Sequence, residues 1–197
     1  MSASSFKTLV THRPKGVIVV QKAYRDRSVS AQSPALEVMT DFARMQSVTI
    51  APEASLFVAN ETMVARGVRL LLVVDEQQGL IGIISTSDTL GERPMQLLHQ
   101  GKGTLFELTV YDLMHAIGEI DMLEFNAVRH ASVGDIVATL KALGRQHLLV
   151  STVDPGFGRQ RVRGVFSASQ IGRQLGIEVQ PLELARTFAE VEAALVG

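Results

Sequence analysis

RLLLVVDEQQGLIGIISTSD, Arg69 to Asp88, is the stretch on which the fold turns. Its two aliphatic runs, RLLLVV (Arg69–Val74) and LIGIIS (Leu80–Ser85), are strand-sized, and the polar DEQQG between them reads as a hairpin turn. Thr86, Ser87 and Asp88 then open a helix. Upstream, Ser55 is placed to cap a helix over Leu56–Arg66, with Gly67 in the usual stop position. Val48–Ile50 before it is β-branched and strand-like.

The same order of elements returns later. Ser132 caps a helix whose Val133, Ile136, Val137 and Leu140 fall on one face, and Gly144 stops it. HLLVS (His147–Ser151), a longer loop containing DPGFGRQR, and VRGVFS (Val162–Ser167) follow, and Ser169 and Gln170 lead into a last helix. A unit of about 55–60 residues is marginal for an independent core, so two copies packed face to face are expected. The chain therefore divides into an arm (1–35) with the short strand Gly16–Val20, a first unit (36–92), a linker (93–108) with a short helix at Met95–His99, a second unit (109–178) and a C-terminal helix (179–197). In that last helix Leu184, Phe188, Val191 and Leu195 form one apolar stripe behind Pro181.

The first unit resembles the CBS domain, the small module named after cystathionine β-synthase. Val38-Met39-Thr40 matches the family's lead-in, Met63–Arg69 its helix end and turn, and Leu70–Asp88 its closing hairpin and helix start. The second unit is similar in a degenerate form. It keeps Asp112-Leu113-Met114 for the lead-in, Gly144–His147 for the turn and Gly164-Val165-Phe166-Ser167 for the last strand, with Gln170 in place of the final Asp. The resemblance implies an α/β fold of two CBS repeats, βαββα each, packed as a pseudo-twofold tandem module.

Composition narrows the function classes. Hydrophobic residues make up 46% of the 197 and charged residues 20%, with a formal net charge of −1. Such a balance does not suit a general phosphate-backbone binder, so nucleic acid is not an expected partner. There is no cysteine, which removes disulfides, zinc thiolates and thiol catalysis. The longest aliphatic runs fall far short of the roughly 20 residues that span a bilayer. Met1–Val10 lacks the pattern of a signal peptide, and a cytoplasmic protein with no membrane partner is expected.

Several motif fragments carry little. Gly101-Lys102-Gly103-Thr104 has Gln96 where a P-loop needs glycine. Gly156-Phe157-Gly158 reads as a long turn, and no two of the five histidines stand at helix-face metal spacing. Arg159, Arg161 and Arg163 read as a solvated hairpin, without an aromatic platform for bases. No nucleophile elbow accompanies Asp88; the expectation is not an enzyme, with no metal and no resident cofactor.

Ser85-Thr86-Ser87-Asp88 has two readings. A hydroxyl followed three residues later by a carboxylate is close to a helix capping box. An ionised carboxylate at a helix start can also accept both hydroxyl protons of a ribose cis-diol. The resemblance implies the second: Asp88 and Ser85, with Ser87 nearby, hold a ribose, Arg69 faces phosphates, and Leu123 and Phe125, in a strand over Leu123–Val128, form the apolar wall. A partner site, expected to be weaker, would use Ser167, Ser169, Gln170 and His147 (or Arg145), with Val48 and Ile50 as its wall. The ligand implied is AMP, ADP, ATP or S-adenosylmethionine, sensed in the cleft between repeats by a homodimer that acts on a separate effector protein. The other reading is a ligand-free interaction module.

Overall fold

The computed structural model describes residues 29–176 apart from Pro155, together with Thr11 and Arg13. The expected strand at Gly16–Val20 and the expected C-terminal helix lie outside the described residues.

Each repeat is built from the elements its sequence favours. In the first, β1 (Thr40–Asp41) and β2 (Thr49–Ile50) precede α1 (Leu56–Arg66), β3 (Leu70–Val74), β4 (Leu80–Ser85) and α2 (Thr86–Leu90). The Ser55 hydroxyl accepts from the Val58 N–H at the start of α1, and Gly67 ends the helix at φ 63°, a left-handed conformation that glycine adopts without a Cβ clash. The linker carries α3 (Arg93–His99), two residues longer than expected, and α4 (Val110–Leu113) opens the second unit.

In the second repeat, β5 (His115–Ala116), β6 (Met122–Glu124), α5 (Phe125–Val128), α6 (Val133–Ala142), β7 (His147–Val153), β8 (Gln160–Ser167) and α7 (Ala168–Gln174) follow. The expected strand over Leu123–Val128 is thus corrected: it ends at Glu124, and the next four residues form a helical turn. A short apolar run does not separate strand from helix by periodicity.

The two sheets run β2-β3-β4-β5 and β1-β8-β7-β6. Each therefore borrows its outer strand from the other repeat. β1 pairs antiparallel with β8, Thr40 opposite Val165, and β5 pairs antiparallel with β4, His115 opposite Ile83. Within each repeat the second strand is parallel to the third, β2 to β3 and β6 to β7. Leu70 pairs with Ser85 as His147 pairs with Ser167, so the segments around Asp88 and Gln170 are related by an approximate twofold. This register equates Val38-Met39-Thr40 with Leu113-Met114-His115, one residue on from the lead-in assigned by sequence.

The crossing also organises the cores. Ala35, Val38 and Met39 are buried with Val133, Ile136, Leu140, Leu148 and Phe166 of the second repeat. Leu108, Val110 and Leu113 are buried with Leu56, Met63, Leu71 and Ile84 of the first. A third cluster, centred on Leu72, Leu149 and Val165, joins the facing sheets. Full burial of one Leu or Val contributes about 1.5–3 kcal/mol, so three exchanged side chains each way are large against the stability of a marginal unit.

Close approach of the crossing strands requires glycine at two matching places. A Cβ on Gly82 would lie 2.6 Å from the His115 carbonyl oxygen, and one on Gly164 would lie 2.6 Å from that of Thr40. Both contacts are with backbone, which cannot swing aside.

Candidate functional site

Two cavities lie between the repeats, related by the same twofold. One is at Asp88 and has a volume of about 230 Å³. Ser85, Ser87 and Asp88 of the first repeat face Arg145, Gln146 and His147 of the second there, with His115, Ile120 and Asp121 closing the side. The other is at Gln170 and measures about 910 Å³. Ser167, Ser169 and Gln170 face Arg69 and Leu70 across it, beside Thr40 and Val48. Leu70 and His147 line both.

The structure brings most of the expected residues to these cavities but redistributes some. Ser85, Ser87 and Asp88 line the Asp88 cavity together; Ser167, Ser169, Gln170, His147 and Val48 line the Gln170 cavity. Arg69 faces the Gln170 cavity, not the one at Asp88. Leu123 and Phe125 line neither; both pack against the second repeat's core, and the wall at Asp88 is Ile120 and Asp121. Ile50 is buried in the first core, 8% exposed, and also misses the cavity.

Asp88 is buried and fully engaged. One carboxylate oxygen accepts from both the backbone N–H (2.8 Å) and the hydroxyl (2.6 Å) of Ser85, the capping-box arrangement that recurs at Thr109–Asp112 and Ser132–Asp135. The other oxygen is 2.9 Å from His115 Nε2 and 3.4 Å from an Arg93 guanidinium nitrogen. Burial alone would raise the Asp88 carboxyl, but the hydrogen bonds from His115 and Ser85, with the His115 charge, hold it below its ordinary 3.8.

Gln170 is held more lightly. The Thr40 hydroxyl donates to its side-chain oxygen at 3.1 Å, so the amide N–H donors remain for other partners. Thr40 thus stands where His115 stands in the other repeat.

The electrostatics of the two cavities differ. Arg66, Arg69 and Arg173 line the Gln170 cavity, and no Asp or Glu is among the residues lining it. The Asp88 cavity has two carboxylates, Asp88 and Asp121, with Arg145. His147 between them is desolvated, which pushes its imidazole down to about 4; the Asp88 charge opposes this shift and the Arg69 charge adds to it. It is neutral at pH 7 and so offers a hydrogen bond, not a cation, to an anion.

Two of the three hairpin arginines are in ion pairs. Arg161 bonds Asp154 at 2.7 Å. Arg163 forms an ion pair with Asp41 of the crossing strand β1 and lies 4.7 Å above the Phe125 ring centroid. Among the described residues no group of three or more His, Asp or Glu is placed to hold a metal ion. No helix among them is long and apolar enough to cross a membrane.

Thr40, Arg66, Arg93, His115, Asp121 and Arg173 were not anticipated as site residues. Only His115 carried a usable signal, as the third residue of a Leu-Met-His sequence that mirrors Val38-Met39-Thr40.

Comparison with known proteins agrees with this architecture. Residues 35–93 match the family model described as CBS domain. No curated protein matches the sequence. Among solved structures, an uncharacterized conserved protein from Pyrococcus horikoshii superposes with a TM-score of 0.55 at 15% identity, covering 78% of this chain and 99% of its own. The CBS-domain containing protein ATU1752 from Agrobacterium tumefaciens gives 0.52 at 13% identity, covering 78% and 98%. The CBS domain pair of protein MJ0100, solved with 5′-methylthioadenosine and S-adenosyl-L-methionine, gives 0.50 at 19% identity, covering 73% and 96%. Residues 35–93 are a CBS domain, and with its crossed second repeat the chain has the fold of a tandem CBS-domain pair.

Proposed function

We propose that the chain is a regulatory ligand-sensing module that binds an adenosine nucleotide between its two repeats, on the Gln170 side. The observation that carries this reading is the cavity of about 910 Å³ lined by both repeats, within the roughly 300–1,000 Å³ usual for small-molecule sites. Val48, Leu72 and Val165 offer a base an apolar seat. Arg66, Arg69 and Arg173 offer phosphates a cationic end, and Ser169 and the Gln170 amide offer donors to ribose oxygens. The same charge disfavours a cationic ligand, so AMP, ADP or ATP fits better than S-adenosylmethionine. That protein MJ0100, with the same fold, was solved with adenosyl compounds supports the adenosine class.

A ligand touching both repeats stabilises one relative arrangement of them, and a partner that prefers that arrangement reads the shift. In this reading the partner is a separate effector protein and the chain acts as a homodimer. On α1, Phe57 is 67% exposed and supports pairing through that helix.

A calorimetric panel of AMP, ADP, ATP, NAD, adenosine and S-adenosylmethionine tests the reading. At least one phosphate-bearing compound should bind more tightly than adenosine or S-adenosylmethionine. Arg69→Ala should weaken it by about tenfold or more, the loss of one charge-assisted bond of about 1.5–3 kcal/mol. If nothing in the panel binds, the ligand-free interaction module replaces this function.

A further inference from the structure

We propose that His115 is the residue that keeps the Asp88 cavity too small for a nucleotide, so that the chain takes one adenosine ligand where its twofold would allow two. The inference rests on the adenosine-cleft reading and goes on to the number of sites and the residue that sets it.

The twofold supplies an internal control, because each position at Asp88 has a counterpart at Gln170. Thr40 and His115 are equivalent, by their pairing with Val165 and Ile83. Each reaches across from a borrowed strand to the third residue of the opposite repeat's last helix. Thr40 does so with one small hydroxyl and leaves a cavity of about 910 Å³; His115 does so with an imidazole beside one of about 230 Å³. The latter is below the usual range for a ligand of nucleotide size.

Arg93 is a second partner of the same carboxylate. It reaches the same Asp88 oxygen as His115 and lies 3.2 Å from the imidazole. Five residues beyond Gln170, the matching place holds Leu175, which packs against the second core and leaves that cavity open.

A ribose diol at Asp88 would need the oxygen that His115 and Arg93 now occupy, and the space that the ring fills. The other Asp88 oxygen already accepts two bonds from Ser85. Asp121 in the same wall adds a second carboxylate against a phosphate. His115 is therefore a specificity-determining residue: it makes two sites of common origin unequal.

Isothermal titration of the full chain with AMP tests this. Wild type should bind one AMP per chain, and His115→Thr, which installs the residue of the open side, should bind two. Adding Asp88→Ala to His115→Thr should return the count to one. Two equivalents on wild type, or no added equivalent on His115→Thr, would overturn the gate while leaving the cleft reading intact. One equivalent on His115→Thr with none on wild type would sustain the gate and overturn the Gln170-side reading; no binding by either protein would overturn both. Should His115→Thr not fold, imidazole nitrogen resonances of wild type report on the closed site directly. Saturating AMP should leave those of His115 in place while the Ser169 and Gln170 amides move, and a shift of the His115 ring to a second bound state would count against closure.

Discussion

At Asp88 one side chain serves two structural partners at once. It caps α2 through Ser85 and holds the borrowed strand through His115. Its carboxyl titrates below the unfolded value near 3.8 despite burial, so the charged form is favoured more in the folded chain than in the unfolded one. The resulting stability is complete above that unfolded value and is lost as pH falls through the lower folded one. Asp88→Asn should therefore cost about 1–3 kcal/mol at pH 7, where it leaves buried donors poorly matched. Its deficit relative to wild type should shrink in urea unfolding curves collected below pH 4. An equal deficit at every pH would show that the carboxylate charge is not what stabilises the helix start. The spacing Ser85-x-x-Asp88 was legible in the sequence as either a cap or a ribose grip. It could not decide between them, because the deciding partner, His115, comes from another element 27 residues away.

The elements most plainly written in the sequence are those closed by local chemistry. α1 has its Ser55 cap and Gly67 stop, and β3 and β4 are held by their tight turn. The short crossing strands were not legible as crossings. β1 and β5 are two residues each, too short for any period, and what fixes them is a neighbour strand in the other repeat. The mark they leave is glycine, at Gly82 and Gly164, where the borrowed backbone passes too close for a side chain. The same swap brings Thr40 of β1 to the Gln170 cavity, which Arg69 also lines. Gly164→Ala should push Thr40 off β8, at a cost of about 1–3 kcal/mol for the forced backbone shift. Because Thr40 lines the Gln170 cavity, AMP affinity in calorimetry should fall with the melting temperature. A variant that melts earlier but binds AMP as wild type does would separate the crossing from the site.

For the molecule as a whole, the exchange of strands makes the two repeats one cooperative body. Unfolding the first repeat withdraws β1 from the second sheet and Ala35, Val38 and Met39 from its core; unfolding the second repeat withdraws β5, Leu108, Val110 and Leu113 from the first. The Arg163–Asp41 pair ties the same seam from the outside. Differential scanning calorimetry should therefore show a single transition whose calorimetric and van't Hoff enthalpies agree, with no separate melting of either repeat. A ligand in the cleft bears on both halves, so AMP should raise that one transition as a unit, by about 2.7 kcal/mol of stabilisation at a hundred times its dissociation constant. The rise should weaken with added salt, since the cleft's attraction for phosphate comes from partly exposed arginines that salt screens. Two resolved transitions, only one of them moved by AMP, would mean that the ligand is held by one repeat alone. The module would then have no means of converting occupancy into a change in how its halves are arranged.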